Sequence, residues 1–493
     1  MVFSSYLFLF YFLPLALALY YAAPPRARHL VLTGLSYVFY GWANPLFVLL
    51  LLVSTLIDYA CGLAIARAHA DAGLARAAGP AVTEGGIDPR RQPRAARVAL
   101  AVSLASNLSL LGFFKYFNFG VDNLNAIAGL TGLEAMRLDS VLRVTLPLGI
   151  SFYTFQSMSY TIDVYRGVLD PLRSFRDFLL YIAFFPQLVA GPIVRATEFL
   201  PQMARVRRPR LQVVNEGLFL MLSGFFLKMV CADNIAGVVD AHWGQGYAPG
   251  ASAPTLVVLT LLFSGQIFCD FAGYSNIARG LALLLGYRLP VNFKAPYIAG
   301  SFKNFWERWH ITLSSWLRDY LYVSLGGNRV SSRRTYVNLM LVMLLGGLWH
   351  GAAWTFVAWG ALHGASLAVE RALGLERARA GHWTALRRVA WFGVVQVTVL
   401  VTWILFRSAT LGGAWQFLVN IATWASTGPV PDEVLRATVF LLPVVALHAW
   451  RWLEERGTLA PLAAVPRAAL AGAMSVAIVM AYGSTNAFIY FQF

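Results

Sequence analysis

TYVNLMLVMLLGGLWHGAAWTFVAWGALHGASLAV, residues Thr335 to Val369, decides how this chain folds. Its 35 residues contain no Asp, Glu, Lys or Arg, while Arg333, Arg334 and Arg371 stand just beyond its ends. A single helix of that length would extend about 52 Å, far more than a hydrocarbon core of about 30 Å. Basic residues at both ends place both ends on the cytoplasmic side of a membrane. The segment therefore reads as a hairpin of two arms, each about 17 residues or about 25 Å long. The turn falls near Leu348-Trp349-His350-Gly351-Ala352, which puts His350 deep in the membrane at a glycine-flanked break. A buried imidazole there needs a partner or water, because an unsatisfied polar group in hydrocarbon costs several kcal/mol.

The rest of the composition agrees. Of 493 residues, 58% are hydrophobic and only 13% are charged, against roughly 25% charged in soluble proteins. A water-soluble fold and a disordered chain are both excluded. A β-barrel would alternate apolar and polar positions, whereas the apolar residues here run continuously. The fold class is all-α, a polytopic integral membrane protein. The formal charge of +16 would raise nucleic acid as a partner in a soluble protein. Here the basic residues sit in short loops between apolar runs, so the expected partner is membrane lipid and not nucleic acid.

The first apolar stretch, Val2 to Tyr21, lacks a basic start and a small-residue cleavage site, and reads as a retained span. Apolar stretches at 30–42 and 46–66 follow, then a polar loop at 67–98 carrying Arg67, Arg76, Arg90, Arg91, Arg94 and Arg97. That loop and Arg26/Arg28 belong inside; 195–210 and 371–388, each with five Arg, belong inside as well. Segments 232–254 and 409–433 lack Lys and Arg and belong outside. About twelve spans (between about ten and fourteen) with both termini outside satisfy this alternation, as one membrane domain over 1–493. Phe178–Ala190 breaks the pattern: 13 residues reach only about 20 Å. It reads as a re-entrant half-span, which is tolerated only beside protein or a water-filled cavity. Cys61, Cys231 and Cys269 show no metal or redox spacing and read as inert core thiols.

Three of the eight histidines, His310, His350 and His363, fall in the region 304–364. Asn304 to Tyr322 reads as one amphipathic interfacial helix. Trp306, Trp309, Leu313, Trp316 and Tyr320 form one face, and Glu307, Arg308, Ser315, Arg318 and Asp319 the other; His310 and Ser314 share a flank. His363 reads as a packing histidine. His29, His69, His242, His382 and His448 read as interfacial or solvated. Asp270 ends an apolar span, and Asp163 lies close to Arg166; such acids are paired for structure or line a pathway. A histidine can serve as general base near neutral pH. No Gly-x-Ser-x-Gly elbow, P-loop, paired-carboxylate signature or metal-ligand spacing is present. On these residues alone, a histidine-dependent acyltransferase and a proton-coupled transporter both remain open.

Eight ordered motifs narrow the choice: PLGISFYTFQ (147–156), DVYRG (163–167), FPQLVAGP (185–192), DFAGY (270–274), FWERWH (305–310), RDYLY (318–322), GGNR (326–329) and GLWHG (347–351). In these the chain resembles the membrane-bound O-acyltransferase family, and within it the bacterial branch that acetylates exopolysaccharides such as alginate. The resemblance implies that His350 is the catalytic histidine and His310 the second family histidine. It implies re-entrant and interfacial helices around a tunnel between a cytoplasmic donor and an acceptor on the other side, with Trp309, Ser314, Trp349 and Asp270 as candidate lining. The donor would be acetyl-CoA or a related thioester, a substrate and not a bound cofactor. The acetyl group would pass to periplasmic partner proteins at a bacterial inner membrane. The arginine-rich inner face suits an anionic carrier. D-alanyl transfer within the same family, a flippase using Asp163 and Asp270, and a non-catalytic scaffold are the alternatives.

Overall fold

A computed structural model describes the chain apart from residues 43, 75–86, 134–136, 139–142, 205–207, 245–249, 376–383, 425, 461–462 and 482–493. Among the described residues every regular element is helical. Contacts group them into two compact units, Met1–Gly217 with Ala278–Pro290, and Leu218–Ile277 with Val291–Phe493. The elements are α1 (Leu7–Ala22), α2 (Arg28–Gly41), α3 (Leu46–Asp71), α4 (Arg94–Thr131), α5 (Ile150–Tyr165), α6 (Phe175–Ala183), α7 (Phe185–Leu188), α8 (Ala196–Met203) and α9 (Leu211–Trp243). They continue with α10 (Ala253–Leu284), α11 (Phe302–Trp306), α12 (Ile311–Trp316), α13 (Ser332–His350), α14 (Trp354–Ala372), α15 (Ala385–Arg407), α16 (Leu411–Thr423), α17 (Asp432–Glu455) and α18 (Ala464–Ala481). Seven of them, α3, α4, α9, α10, α15, α17 and α18, are long and apolar enough to cross a membrane. The chain is a multi-pass membrane protein. The remaining apolar sequence forms the two 19-residue arms α13 and α14 and shorter helices, a distinction that continuous hydropathy does not carry.

In the first unit, polar side chains tie helices whose apolar faces gain little from association in lipid. Asp58 of α3 accepts hydrogen bonds from Ser103 (2.6 Å) and Asn107 (2.9 Å) of α4 and from Ser157 of α5. The expected half-span at Phe178–Ala190 is a broken pair, α6 and α7, hinged at Phe184 and buried from Leu180 onward. Its irregular backbone is satisfied internally: Gln187 Nε2 donates to the Tyr181 carbonyl (2.7 Å), and the Phe185 amide donates to Ser36 Oγ (3.2 Å). The polar loop expected at 67–98 is shorter in its described part, since α3 runs to Asp71 and α4 begins at Arg94.

In the second unit, α13 and α14 form the hairpin, turning at Gly351-Ala352-Ala353. Two glycines let the arms meet backbone to backbone. A Cβ on Gly347 would lie 2.2 Å from the Phe356 carbonyl oxygen, and one on Gly360 would lie 2.3 Å from that of Met343. Trp359 and Phe356 of α14 join Trp309, Trp403 and Phe406 in this unit's hydrophobic core. The single helix expected over Asn304–Tyr322 is not formed. It is interrupted between α11 and α12, and its last turn, Leu317–Tyr322, is a π-helix. The apolar face is nonetheless buried as the spacing requires: Trp309, Leu313, Trp316 and Tyr320 are all in the core.

Candidate active site

The interruption falls on His310, whose backbone is left-handed at φ 43° and ψ 53°, a conformation that few side chains other than glycine adopt. The strand of chain at 292–294 holds it there. The Lys294 amide donates to the Arg308 carbonyl (3.0 Å), and the Ile311 amide donates to the Asn292 carbonyl (2.9 Å). Asn292 Oδ1 then accepts from the Thr312 amide (3.2 Å) and Thr312 Oγ1 (3.0 Å), and lies 3.1 Å from His310 Nδ1. Asn292 thus satisfies the first two amides of α12, which a helix start leaves without intrahelical partners. Its own Nδ2 donates to Ser275 Oγ of α10 (3.2 Å).

The helix before His310 is fixed from the hairpin. Glu370, buried on α14, accepts from the Phe302 amide (2.6 Å) and the Lys303 amide (3.1 Å) at the start of α11. Ser301 caps the same turn through the Asn304 amide (3.0 Å). Arg308 makes a two-pronged pair with Glu455 at 2.8 and 2.7 Å, the planar fork geometry that favours arginine.

His350 ends α13 at the apex of the hairpin, and Gly351 turns the chain out of the helix. Its ring meets Trp349 and Trp359 at 5.0 Å each, and Phe406 at 5.5 Å, all edge-on. His310 stands against Phe271 at 4.6 Å and Trp349 at 5.9 Å, and the two imidazole centroids are 6.3 Å apart. His310 is 0% and His350 4% exposed. Two imidazoles therefore share one aromatic, water-poor environment, in which proton and acyl transfers are shielded from bulk water.

The other sequence-derived candidates distribute as follows. Trp349 packs edge-on against both histidines, which also face each other directly. Trp309 is one layer behind, stacked on Phe305 (5.8 Å) and packed against Trp403 (4.8 Å). Ser314 is half-buried and donates to the Trp309 carbonyl (3.2 Å). Asp270 does not end a span but sits in the middle of α10, where its carboxylate pairs with Lys228 at 2.8 Å. The same ammonium holds Asp233 at 2.7 Å, and Lys228 is placed by a π-turn, Phe226–Ala232, within α9. Its neighbour Phe271, not Asp270, touches His310. His363 is buried among Trp306 (4.9 Å) and Trp359 (4.6 Å), with neither ring nitrogen hydrogen-bonded among the described residues.

His69 and His448 are buried, not solvated, because Gln92 (2.8 Å) and the Val444 carbonyl (2.7 Å) supply partners. His382 lies outside the described residues. Sequence reasoning did not single out Asn292, Lys228, Phe271 or Glu370. Lys228 carried a usable signal, being a lysine inside an apolar run.

The sequence has counterparts among known proteins. The chain belongs to the membrane-bound O-acyltransferase family, whose family model matches residues 169–407, and it is an O-acyltransferase. It is 43% identical to the probable alginate O-acetylase of Azotobacter vinelandii over 416 residues, 84% of this chain and 77% of that protein. The peptidoglycan O-acetyltransferase of Helicobacter pylori is 36% identical, over 85% of this chain and 79% of that protein. The teichoic acid D-alanyltransferase of Streptococcus thermophilus is 32% identical over 237 residues, 46% of this chain and 57% of that protein.

Proposed function

We propose that this enzyme moves an acetyl group from a cytoplasmic thioester, acetyl-CoA or a close analogue, toward an alginate-like exopolysaccharide of the bacterial envelope. It acts in the inner membrane and hands the acetyl group to periplasmic partner proteins. The carrying observation is His350, buried at the apex of a hairpin that is uncharged from 335 to 369 and sharing one aromatic site with His310. Similarity to alginate O-acetylases across most of the chain supports the polymer class.

In this reading His350 is the general base. It takes the proton of an acceptor hydroxyl as that oxygen attacks the thioester carbonyl. The carbon–sulfur bond then breaks, and the departing thiolate takes the proton back from the imidazolium. The aromatic shell keeps water from competing for the acyl group.

The test is a His350→Ala strain with normal membrane levels of the protein, scored by polymer acetyl content. Acetylation should be lost, and unchanged acetylation overturns the assignment. The similarity to a D-alanyltransferase over nearly half the chain favours D-alanyl transfer as a second reading. That chemistry draws on a carrier-protein thioester, so free thiol released from acetyl-CoA by the purified protein decides against it.

A further inference from the structure

We propose that Asn292 is a positioning residue that locks His310 in its Nδ1–H tautomer, leaving Nε2 as a bare proton acceptor. The amide oxygen and nitrogen of an asparagine are ordinarily assigned by their partners, and here the partners decide. The Thr312 amide can only donate, so the Asn292 atom 3.2 Å from it is the oxygen. Thr312 Oγ1 donates to the same atom, while Nδ2 faces Ser275 Oγ. His310 Nδ1, 3.1 Å from that oxygen, must therefore carry a hydrogen. In a neutral imidazole the other nitrogen then holds a lone pair.

Burial combined with an unusual backbone sets that lone pair apart from the other histidine nitrogens. Nε2 is buried with no hydrogen-bond partner among the described residues, a condition it shares with Nε2 of His29 and of His448. The backbone of His310 is also kept left-handed, the kind of strain that gathers at functional sites. A bare Nε2 cannot donate a hydrogen bond to a developing oxyanion. In the reaction it can only accept: the single proton that the acceptor hydroxyl gives up can rest on His310 Nε2 as well as on His350 before the departing thiolate takes it, so the site holds a second acceptor for the same proton. This role deepens the acyl-transfer reading and rests on it. The tautomer itself does not.

The experiment uses the full-length protein in lipid bilayers with nitrogen-15-labelled histidine, and His310→Gln identifies the signal. The wild-type spectrum should show His310 protonated at Nδ1 and bare at Nε2. Asn292→Asp, which still accepts, should preserve that state. Asn292→Leu should return the ring to the commoner Nε2–H form and lower kcat for acetyl-CoA-dependent transfer roughly 100-fold with little change in KM. The Asp variant should recover most of that loss.

A wild-type His310 carrying its proton on Nε2, or doubly protonated, overturns the proposal, as does an Asn292→Leu spectrum identical to wild type. If the Leu variant does not fold, the wild-type and Asp spectra still decide it. If the spectra are as expected but His310→Gln transfers acetyl at the wild-type rate, the positioning stands and the proton-accepting role in acyl transfer is overturned.

Discussion

The rings of His310 and His350 lie 6.3 Å apart between centroids, tilted by 60°, with the indole of Trp349 against both. That separation is too long for a direct hydrogen bond between the rings, so in the proposed reaction each acts on a third group. Replacing either by alanine should lower transfer by at least roughly 100-fold. The double variant should be little worse than the poorer single one, because groups acting as a unit are not additive. Thiol release from acetyl-CoA by the three purified proteins checks this, and multiplicative losses would separate the two roles.

The arms of the α13–α14 hairpin tolerate no side chain where they cross. Gly347→Ala would drive a methyl group to 2.2 Å from the Phe356 carbonyl oxygen. Overpacking of this kind costs about 1–3 kcal/mol. The expected result is a lower thermal midpoint in detergent, together with reduced turnover as His350 shifts.

Lys228 serves two buried carboxylates, Asp233 and Asp270, with side chains only 3% exposed. Lys228→Met should destabilise the protein by about 3–5 kcal/mol, since it strands charge in a poorly solvated place. Neutralising both acids in the same chain (Asp233→Asn with Asp270→Asn) should recover part of the loss. Thermal unfolding of the single and triple variants measures both effects.

Asp177, at the start of α6, hydrogen-bonds His29 at 2.9 Å and Arg176 at 3.1 Å. Burial raises its carboxyl pKa, but these hydrogen bonds outweigh that and hold it down to about 2. In the unfolded chain the group titrates near about 3.9. Its stabilising contribution is therefore complete above about pH 4 and is lost as pH falls through about 2. The thermal midpoint should drop over that window, and Asp177→Asn should remove part of the drop.

The hairpin was readable from sequence because its evidence is local: a long uncharged run, arginines at both ends and a glycine-flanked histidine in the middle. The buried face of Trp309, Leu313, Trp316 and Tyr320 was readable for the same reason, since helical spacing survives short interruptions. The break at His310 was not. It depends on Asn292, eighteen positions upstream, and an asparagine in a loop carries no mark of what it will cap. Asp270 drew notice as an acid in an apolar run, but its meaning depended on Lys228 in another helix. Glu370 drew no notice in the sequence, because only the approach of α11 makes it a cap.

The backbone at His310 has one more implication. A left-handed residue with a side chain costs about 1 kcal/mol or more relative to a right-handed one, a burden that glycine escapes. Along this one turn, a sequence chosen purely for robustness would discard the imidazole. What the chain retains is the less comfortable choice, so mutants that grow sturdier here should be the ones that have stopped working.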